Sequence, residues 1–483
     1  MQESVRPDDF TDAGNAQVFR SQYRGLLAYT DALGWLEWTG RRWERGEHGA
    51  ITRAETLTQY MMEEALLDRG DAHRREDEAR YALSQKQEGA REQLEEAQRD
   101  TARAQAYLDH AKRTRQAPRL CALVELARHS MVVPAERLDA DPFLLNTPAG
   151  EVDLRTGALT EHSGDRPWHY CTRITRTAPG HTMEGTSLWY GFLETVTCAD
   201  ADLARFLQTA AGMALVGKVY HEGILLACGS GRNGKSTFFN ALAAVLGDYA
   251  GSLDVQVLTG ERQNRGAALA TLRGKRLVLA SELEQGQRLS ASVLKQIAST
   301  DRLVIEEKYR APETVEQTHT LVLFTNHLPR VGSSDLGTWR RLTVVPFGAQ
   351  IDRDIPNYAQ TLVDKAGGDI LSWAIEGARQ FLERGCKLGV PEAVARATRA
   401  YRAREDWLGR FLAEGCPSAP GGRMGARELY LSYRDWAQGN GEYMRSERNF
   451  ADAMRERGFE KNKSDGKMVY RGIGQGTGRA REV

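Results

Sequence analysis

The sequence predicts an α/β core, preceded by an α+β N-terminal region and followed by a small C-terminal domain of helices and a hairpin. Three observations predict it. An apolar run, Ile224 to Cys228, enters a glycine-rich loop and then an amphipathic helix. Two more apolar strands, Leu277 to Ala280 and one ending at Asn326, follow with helical stretches between them, as in a parallel sheet. A Gly/Pro-rich run, CPSAPGGRMG, then sets off residues 425–473.

Composition narrows the class. The chain has 483 residues, 41% apolar and 27% charged, enough for two to four domains with real cores. No run is long and apolar enough to cross a membrane. The start, MQESVRPDDF, lacks the basic and apolar regions of a secretory signal, so a cytoplasmic protein of a bacterial host cell is expected, with no membrane partner. Six cysteines are widely spaced and form no CxxC or Cys/His cluster, which argues against zinc and disulfides. The net charge is zero, so a nucleic-acid partner would need local basic patches. Only 12 of the 65 basic residues are lysine, which points to a G+C-rich genome.

The elements follow in order. In residues 1–66, GWLEWTGRRW (34–43) reads as a hairpin turning at Thr39-Gly40. Its tryptophans make a local core, with base stacking as the sharper alternative. Residues 67–117 are rich in Ala, Glu, Gln and Arg with i,i+4 charge pairs. They predict an exposed helix or helical hairpin rather than a strict coiled coil, since Leu83, Leu94, Ala97 and Tyr107 keep no heptad. Residues 118–182 read as a compact α+β piece with turns at Pro148-Ala149-Gly150 and Thr156-Gly157. Leu138-Asp139-Ala140-Asp141 superficially matches a polymerase-type metal pair, but Asp-Pro favours a turn and no third carboxylate is apparent. Residues 183–350 form the α/β domain, 351–415 are helical, and 416–483 hold the linker, last domain and tail.

The chemistry concentrates at Gly229, Ser230, Gly231, Arg232, Asn233, Gly234, Lys235, Ser236 and Thr237, a G-x-x-x-x-G-K-S-T run between strand and helix. Glycines let backbone N–H groups turn inward around a phosphate chain, and the helix N-terminus adds positive potential. Lys235 would reach the β/γ oxygens of ATP and Ser236 would bind Mg²⁺. Glu282, directly after the second strand, would hold the metal or polarise water, with Glu284 as second choice. Asn326 would orient the lytic water. Arg340 and Arg341 precede an apolar strand, and either could stabilise charge on the γ-phosphate. Between these lies a basic hairpin, with Lys308, Tyr309 and Arg310 at its tip, suited to a DNA backbone.

The order GSGRNGKST, LVLASELEQG, LKQIASTDRL, LVLFTNHLPRV, TWRRLTVVPF resembles the phage and plasmid primase–helicase family related to the poxvirus primase–helicase. Its motor belongs to the superfamily three helicases of the AAA+ group. The resemblance covers roughly residues 10–50 and 118–350, and extends to the C-terminal domain. It implies a P-loop AAA+ core, ATP and Mg²⁺, a homohexameric ring, and 3′-to-5′ translocation on single strands. It makes Lys235 and Ser236 the phosphate-loop pair, Glu282 the second-motif carboxylate, Asn326 the sensor, Arg340 or Arg341 the arginine finger, and Lys308 the residue that tracks DNA. Residues 67–117 match nothing in the family pattern.

The last module reads as a winged helix: one helix over ARELYLSYRDWAQ, a second opened by Ser446, then a hairpin turning at Asp465-Gly466. Arg448, Lys461, Lys463 and Lys467 would meet duplex DNA. The sequence therefore predicts an ATP-dependent DNA helicase acting in replication initiation of a phage, prophage or plasmid, with host replication proteins as possible partners. The alternatives are an origin-binding initiator or primase-associated protein that uses ATP only to assemble, and a small-molecule nucleotide enzyme. A primase would need a metal–carboxylate cluster that the sequence does not show.

Overall fold

The computed structural model describes residues 4–46, 48–162, 169–260, 265–281, 283–284, 286–305, 313–331, 336–352, 355–415, 418–464 and 467–473. The chain divides into two compact units, 1–141 with 160–174, and 142–159 with 175–483. The stretch 118–182, one piece by sequence, is thus shared between them.

In the first unit, α1 (Asp12–Tyr23) leads to an antiparallel sheet of β1 (Leu27–Thr30), β2 (Gly34–Trp38) and β3 (Trp43–Arg45). Trp43 is 1% exposed and packs against Trp38 and Tyr170, so this tryptophan belongs to a core. Two long helices follow, α2 (Gly49–Ser84) and α3 (Ala90–Thr114), then α4 (Ala117–Arg128). The charged stretch is a helical hairpin, but its first helix begins at Gly49 and not near residue 67. Thr58, Ala65, Ala72 and Ala79 are buried on α2, and Ala90, Ala97, Ala104 and Ala111 on α3, each set at seven-residue spacing. A heptad of small residues lets two helices approach closely with few leucines. Asp139, from the metal-pair candidate, instead accepts bonds from Thr172 N at 2.8 Å and Thr172 Oγ1 at 2.5 Å.

The second unit opens with the hairpin β4 (Leu144–Thr147) and β5 (Gly150–Asp153), then the two-residue β6 (Leu159–Thr160), α5 (Met183–Val196) and α6 (Ala201–Met213). Thr182 and Asp200 cap these helices through their side-chain oxygens. The core is a five-stranded parallel sheet. Its strands are β7 (Ile224–Cys228), β8 (Ala250–Ser252), β9 (Leu277–Ser281), β13 (Thr320–Thr325) and β15 (Leu342–Pro346), in the order β15-β7-β13-β9-β8.

Alternation along these strands builds both faces. Leu225, Ala227, Leu279, Val322 and Val345 join a core with α5, α6, α7 (Lys235–Leu246) and α12 (Tyr358–Glu383). Leu226, Val278, Leu321, Leu323 and Val344 face α8 (Val255–Thr259), α9 (Arg265–Ala270) and α10 (Ala291–Ile297), with Tyr401 of α13 (Glu392–Glu405). Being covered on both sides is why the strands read as continuous apolar runs. Trp189, fully buried, stacks on Phe238 at 5.7 Å and meets Trp373 edge-on at 5.2 Å. Short elements complete the region: β10 (Arg288–Leu289) pairs β14 (Arg330–Val331), β11 (Leu303–Ile305) pairs β12 (Glu313–Val315), and α11 (Leu336–Trp339) precedes β15.

The C-terminal module comprises α14 (Trp407–Glu414), β16 (Ser418–Gly425), α15 (Ala426–Gly439), α16 (Glu447–Glu456), β17 (Lys461–Ser464) and β18 (Lys467–Ile473). The expected linker CPSAPGGRMG is corrected here: most of it is β16, an outer strand paired with the central β18 through a register shift between Ser418 and Arg423. An outer strand tolerates proline and glycine because one side of its backbone needs no sheet partner. Ser446 caps α16, its Oγ accepting from Asn449 N. The hairpin tip Asp465-Gly466 lies outside the described residues. Among the described residues, no helix is long and apolar enough to cross a membrane.

Candidate active site

The site lies at the C-terminal ends of the parallel strands, where the chain leaves β7 for α7 and where open α/β sheets collect ligands. The loop 229–234 is shaped by backbone conformations that favour glycine. Gly231 has φ +97° and Gly234 φ +77°, while Arg232, at φ +47°, carries a side chain in the same region. A Cβ on Gly229 would lie 2.0 Å from Asn233 Nδ2 and 2.3 Å from Phe347 O, so only glycine fits. Asn233 ties the loop to the neighbouring strand exit, its Nδ2 donating to Phe347 O at 3.2 Å. Ile351 N donates to Arg232 O at 2.8 Å from the far side.

Lys235, 6% exposed at the start of α7, is the focus. Its Nζ donates to Asn326 Oδ1 at 2.5 Å and to Gly229 O at 3.2 Å. Burial lowers its pKa below the ordinary lysine value. The contact arises because β13 lies beside β7, with Thr325 in register with Cys228, so the residue after β13 arrives at the loop. β9 flanks β13 on its other side, Ser281 opposite Phe324. Ser236 is exposed on the first turn of α7, and Thr237 half-buried. Glu282 lies outside the described residues, as do Lys308, Tyr309 and Arg310. The flanking strands β11 and β12 do pair antiparallel, as a hairpin requires.

The two arginines separate clearly. Both precede β15 at the end where Leu342 pairs Ile224, the far end of the sheet from Cys228. Five residues of strand put them roughly 15 Å from the loop. Arg341 is 8% exposed and fully engaged: Nε donates to Ala298 O at 3.1 Å, one terminal nitrogen to Gly337 O, and the other to Glu222 Oε2 at 2.9 Å. Arg340 is exposed and reaches Glu222 only at 3.7 Å. Neither lies at this chain's own loop.

Two cavities flank the loop. One, of about 490 Å³, is lined by Phe192, Thr195, Gly234, Thr237, Ile351 and Tyr358. Phe192 and Tyr358 meet edge-on at 5.8 Å, giving an apolar wall of a size that suits a small planar ligand. Gly234 and Thr237 were expected from the sequence; Phe192, Ile351 and Tyr358 were missed, because apolar side chains on two helices and a loop carry no local motif. The other cavity, of about 630 Å³, is bordered by Cys228 and Asn326 and is rich in arginine. Among the described residues, no cluster of three or more His, Cys, Asp or Glu could hold a metal by itself.

In the C-terminal module, Arg448, Lys461, Lys463 and Lys467 are all exposed. Lys461 pairs with Tyr470 and Lys463 with Met468, so these two share one hairpin face, while Lys467, opposite Ser464, takes the other.

Comparison with known proteins agrees with the sequence reading at the level of family. Residues 16–198 match the family described as "D5 N terminal like", and residues 227–341 a family of unknown function, DUF5906. A protein of Acanthamoeba polyphaga mimivirus named as a helicase (L207/L206) is 24% identical over 328 residues, 63% of this chain and 34% of that one. An African swine fever virus protein named as a primase (C962R) is 24% identical over 329 residues, again 63% and 34%. A Frog virus 3 protein named as a helicase (022R) is 26% identical over 267 residues, 50% and 27%. The chain spans about a third of the length of these relatives. The apo structure of the NrS-1 C-terminal region overlays with a TM-score of 0.38 at 13% identity, covering 62% of this chain and 78% of that one. The D5 N-terminal-like match and the similarity to viral proteins named as helicases and primases support a place for this chain in the primase–helicase family.

Proposed function

We propose that this chain is an ATP-driven DNA helicase that acts in replication initiation of a phage, prophage or plasmid, working as a ring, expected to be a hexamer, that moves 3′-to-5′. One observation carries the reading. Lys235, in a glycine-shaped loop at a helix N-terminus, is held by Asn326 from the end of the adjacent strand. That contact supports reading the loop as a P-loop with Asn326 as its sensor, and the reading takes the α/β region as an AAA+ motor of superfamily three. Relatives named as helicases support it.

The residues then take defined tasks. The backbone of 229–236 and the Lys235 ammonium bind the phosphate chain of ATP. The cavity beside Phe192 and Tyr358 takes the base. Ser236 and Glu282 would hold Mg²⁺, which would supply charge neutralisation to the phosphate chain. Asn326 exchanges its bond to Lys235 for one that orients the attacking water. Arg340, exposed and remote from its own loop, is the finger offered to the neighbouring subunit, whereas Arg341 builds the strand start. Lys308, Tyr309 and Arg310 grip the translocated single strand. The C-terminal module, read as a winged helix, places Arg448, Lys461, Lys463 and Lys467 on duplex DNA.

The test is strand displacement on a 3′-tailed fork with Mg·ATP, for wild type and Lys235→Ala. Unwinding by wild type and none by the variant is expected. Duplex binding without unwinding by wild type would replace the motor with an initiator that uses ATP for assembly.

A further inference from the structure

The larger cavity beside Asn326 is not explained by the loop alone. It is lined from the sheet side by Arg288 and Arg330, from the end of α13 by Arg404, and from the C-terminal module by Arg410 and Arg445. Two carboxylates accompany these five arginines, and both are spent locally. Glu442 pairs with Arg410 at 2.5 Å, and Glu405 accepts from Val331 N at 2.9 Å. Arg330 is exposed and, among the described residues, its guanidinium has no hydrogen-bond or ion-pair partner, and Arg410 Nε is buried without a partner. Arg445 lies over Trp407, its guanidinium carbon 4.2 Å from the ring centroid, and donates to Tyr443 O, which fixes its direction. Positive charge is therefore gathered and oriented in an open cavity whose wall includes the residue touching Lys235.

We propose that this cavity is an anion site which the C-terminal module completes from within the same chain, and that Arg330 and Arg445 read the terminal phosphate of the nucleotide held by the loop. The inference rests on the nucleotide reading above. It adds that a triphosphate, and not a diphosphate, draws the C-terminal module to the sheet. By linkage, ATP then changes the module's affinity for duplex DNA, and DNA changes the affinity for ATP by the same factor.

The experiment measures Mg·ATPγS and Mg·ADP affinity, and binding of a duplex and a single-stranded oligonucleotide, for the full chain and its variants. Arg330→Ala removes a side chain with no bond to the described residues, and Arg445→Gln keeps a planar group beside Trp407. Each is expected to weaken ATPγS about tenfold or more, the size of a lost charge-assisted contact, and to leave ADP within about twofold. Duplex binding strengthened or weakened by ATPγS in wild type should become indifferent to it in Arg445→Gln. Equal losses for both nucleotides, or none, would overturn the proposal. Loss of oligonucleotide binding with ATPγS affinity intact would also overturn it, assigning the arginines to a nucleic-acid backbone. Lys235→Ala separates the two levels: unchanged binding of both nucleotides in that variant would mean that the underlying nucleotide reading has failed.

Discussion

Gly234→Ala tests the geometry of the loop in two separable parts. The first is conformational: φ is +77°, and an L side chain there costs about 1–2 kcal/mol. The second is steric. A Cβ would lie 2.4 Å from Val196 Cγ1 and 3.4 Å from Ile351 and Phe192 carbons, in a wall where Val196 is 1% exposed. Overpacking of that kind costs about 1–3 kcal/mol, so the single variant should lose about 2–5 kcal/mol. Val196→Ala alone removes two buried carbons and should cost about 2 kcal/mol. In the double variant the new methyl enters the space vacated by valine. The steric part should vanish and leave a favourable coupling of about 1–3 kcal/mol, with the conformational part remaining. Urea titration of the four proteins, followed by circular dichroism, gives the cycle. Additivity within about 0.5 kcal/mol would refute the packing argument, and a Gly234→Ala protein as stable as wild type would refute both parts.

Four other outcomes follow from the structure. Asn326→Ala should lower ATP turnover by roughly 100-fold while ADP binding persists, since the loop and Lys235 remain; steady-state kinetics with a binding titration checks it. Arg341→Ala should destabilise the fold by about 2–3 kcal/mol, because it strips three bonds and takes from Glu222 its closer arginine partner. Arg340→Ala should leave stability within about 1 kcal/mol yet abolish turnover, which mixing with Lys235→Ala subunits should partly restore. His319 is buried, its Nε2 has no hydrogen-bond partner among the described residues, and burial pulls its pKa down to about 4. The unfolded chain binds this proton first, so stability present above pH 6.5 falls as the pH drops from about 6.5 to 4, by about 3 kcal/mol. His319→Phe should flatten that part of the pH–stability curve.

What the sequence made legible was local. The strand–loop–helix around Gly229 to Ser236 needs no distant partner to be recognised, since its glycines and lysine are adjacent in the chain. The parallel strands were legible because burial on both faces makes them uniformly apolar. Long-range features were not. The seam between α2 and α3 is built from alanine, and a search for leucine at heptad spacing passes over it. β16 looked like a linker because its Gly and Pro residues are unfavourable in most strands, and only its outer place beside β18 makes them acceptable. Arg340 and Arg341 are adjacent and chemically identical. Only the folded chain shows Arg341 closed around Ala298, Gly337 and Glu222 and Arg340 left outside. Phe192 and Tyr358 lie 166 positions apart and converge only once α5 and α12 pack together.

The most direct test of the central claim is ATP hydrolysis by wild type and Lys235→Ala, each with and without single-stranded DNA. The account predicts hydrolysis by wild type that rises several-fold with DNA, and none above background in the variant. Hydrolysis indifferent to DNA would contradict a DNA motor, and hydrolysis surviving Lys235→Ala would contradict the assignment of the loop itself.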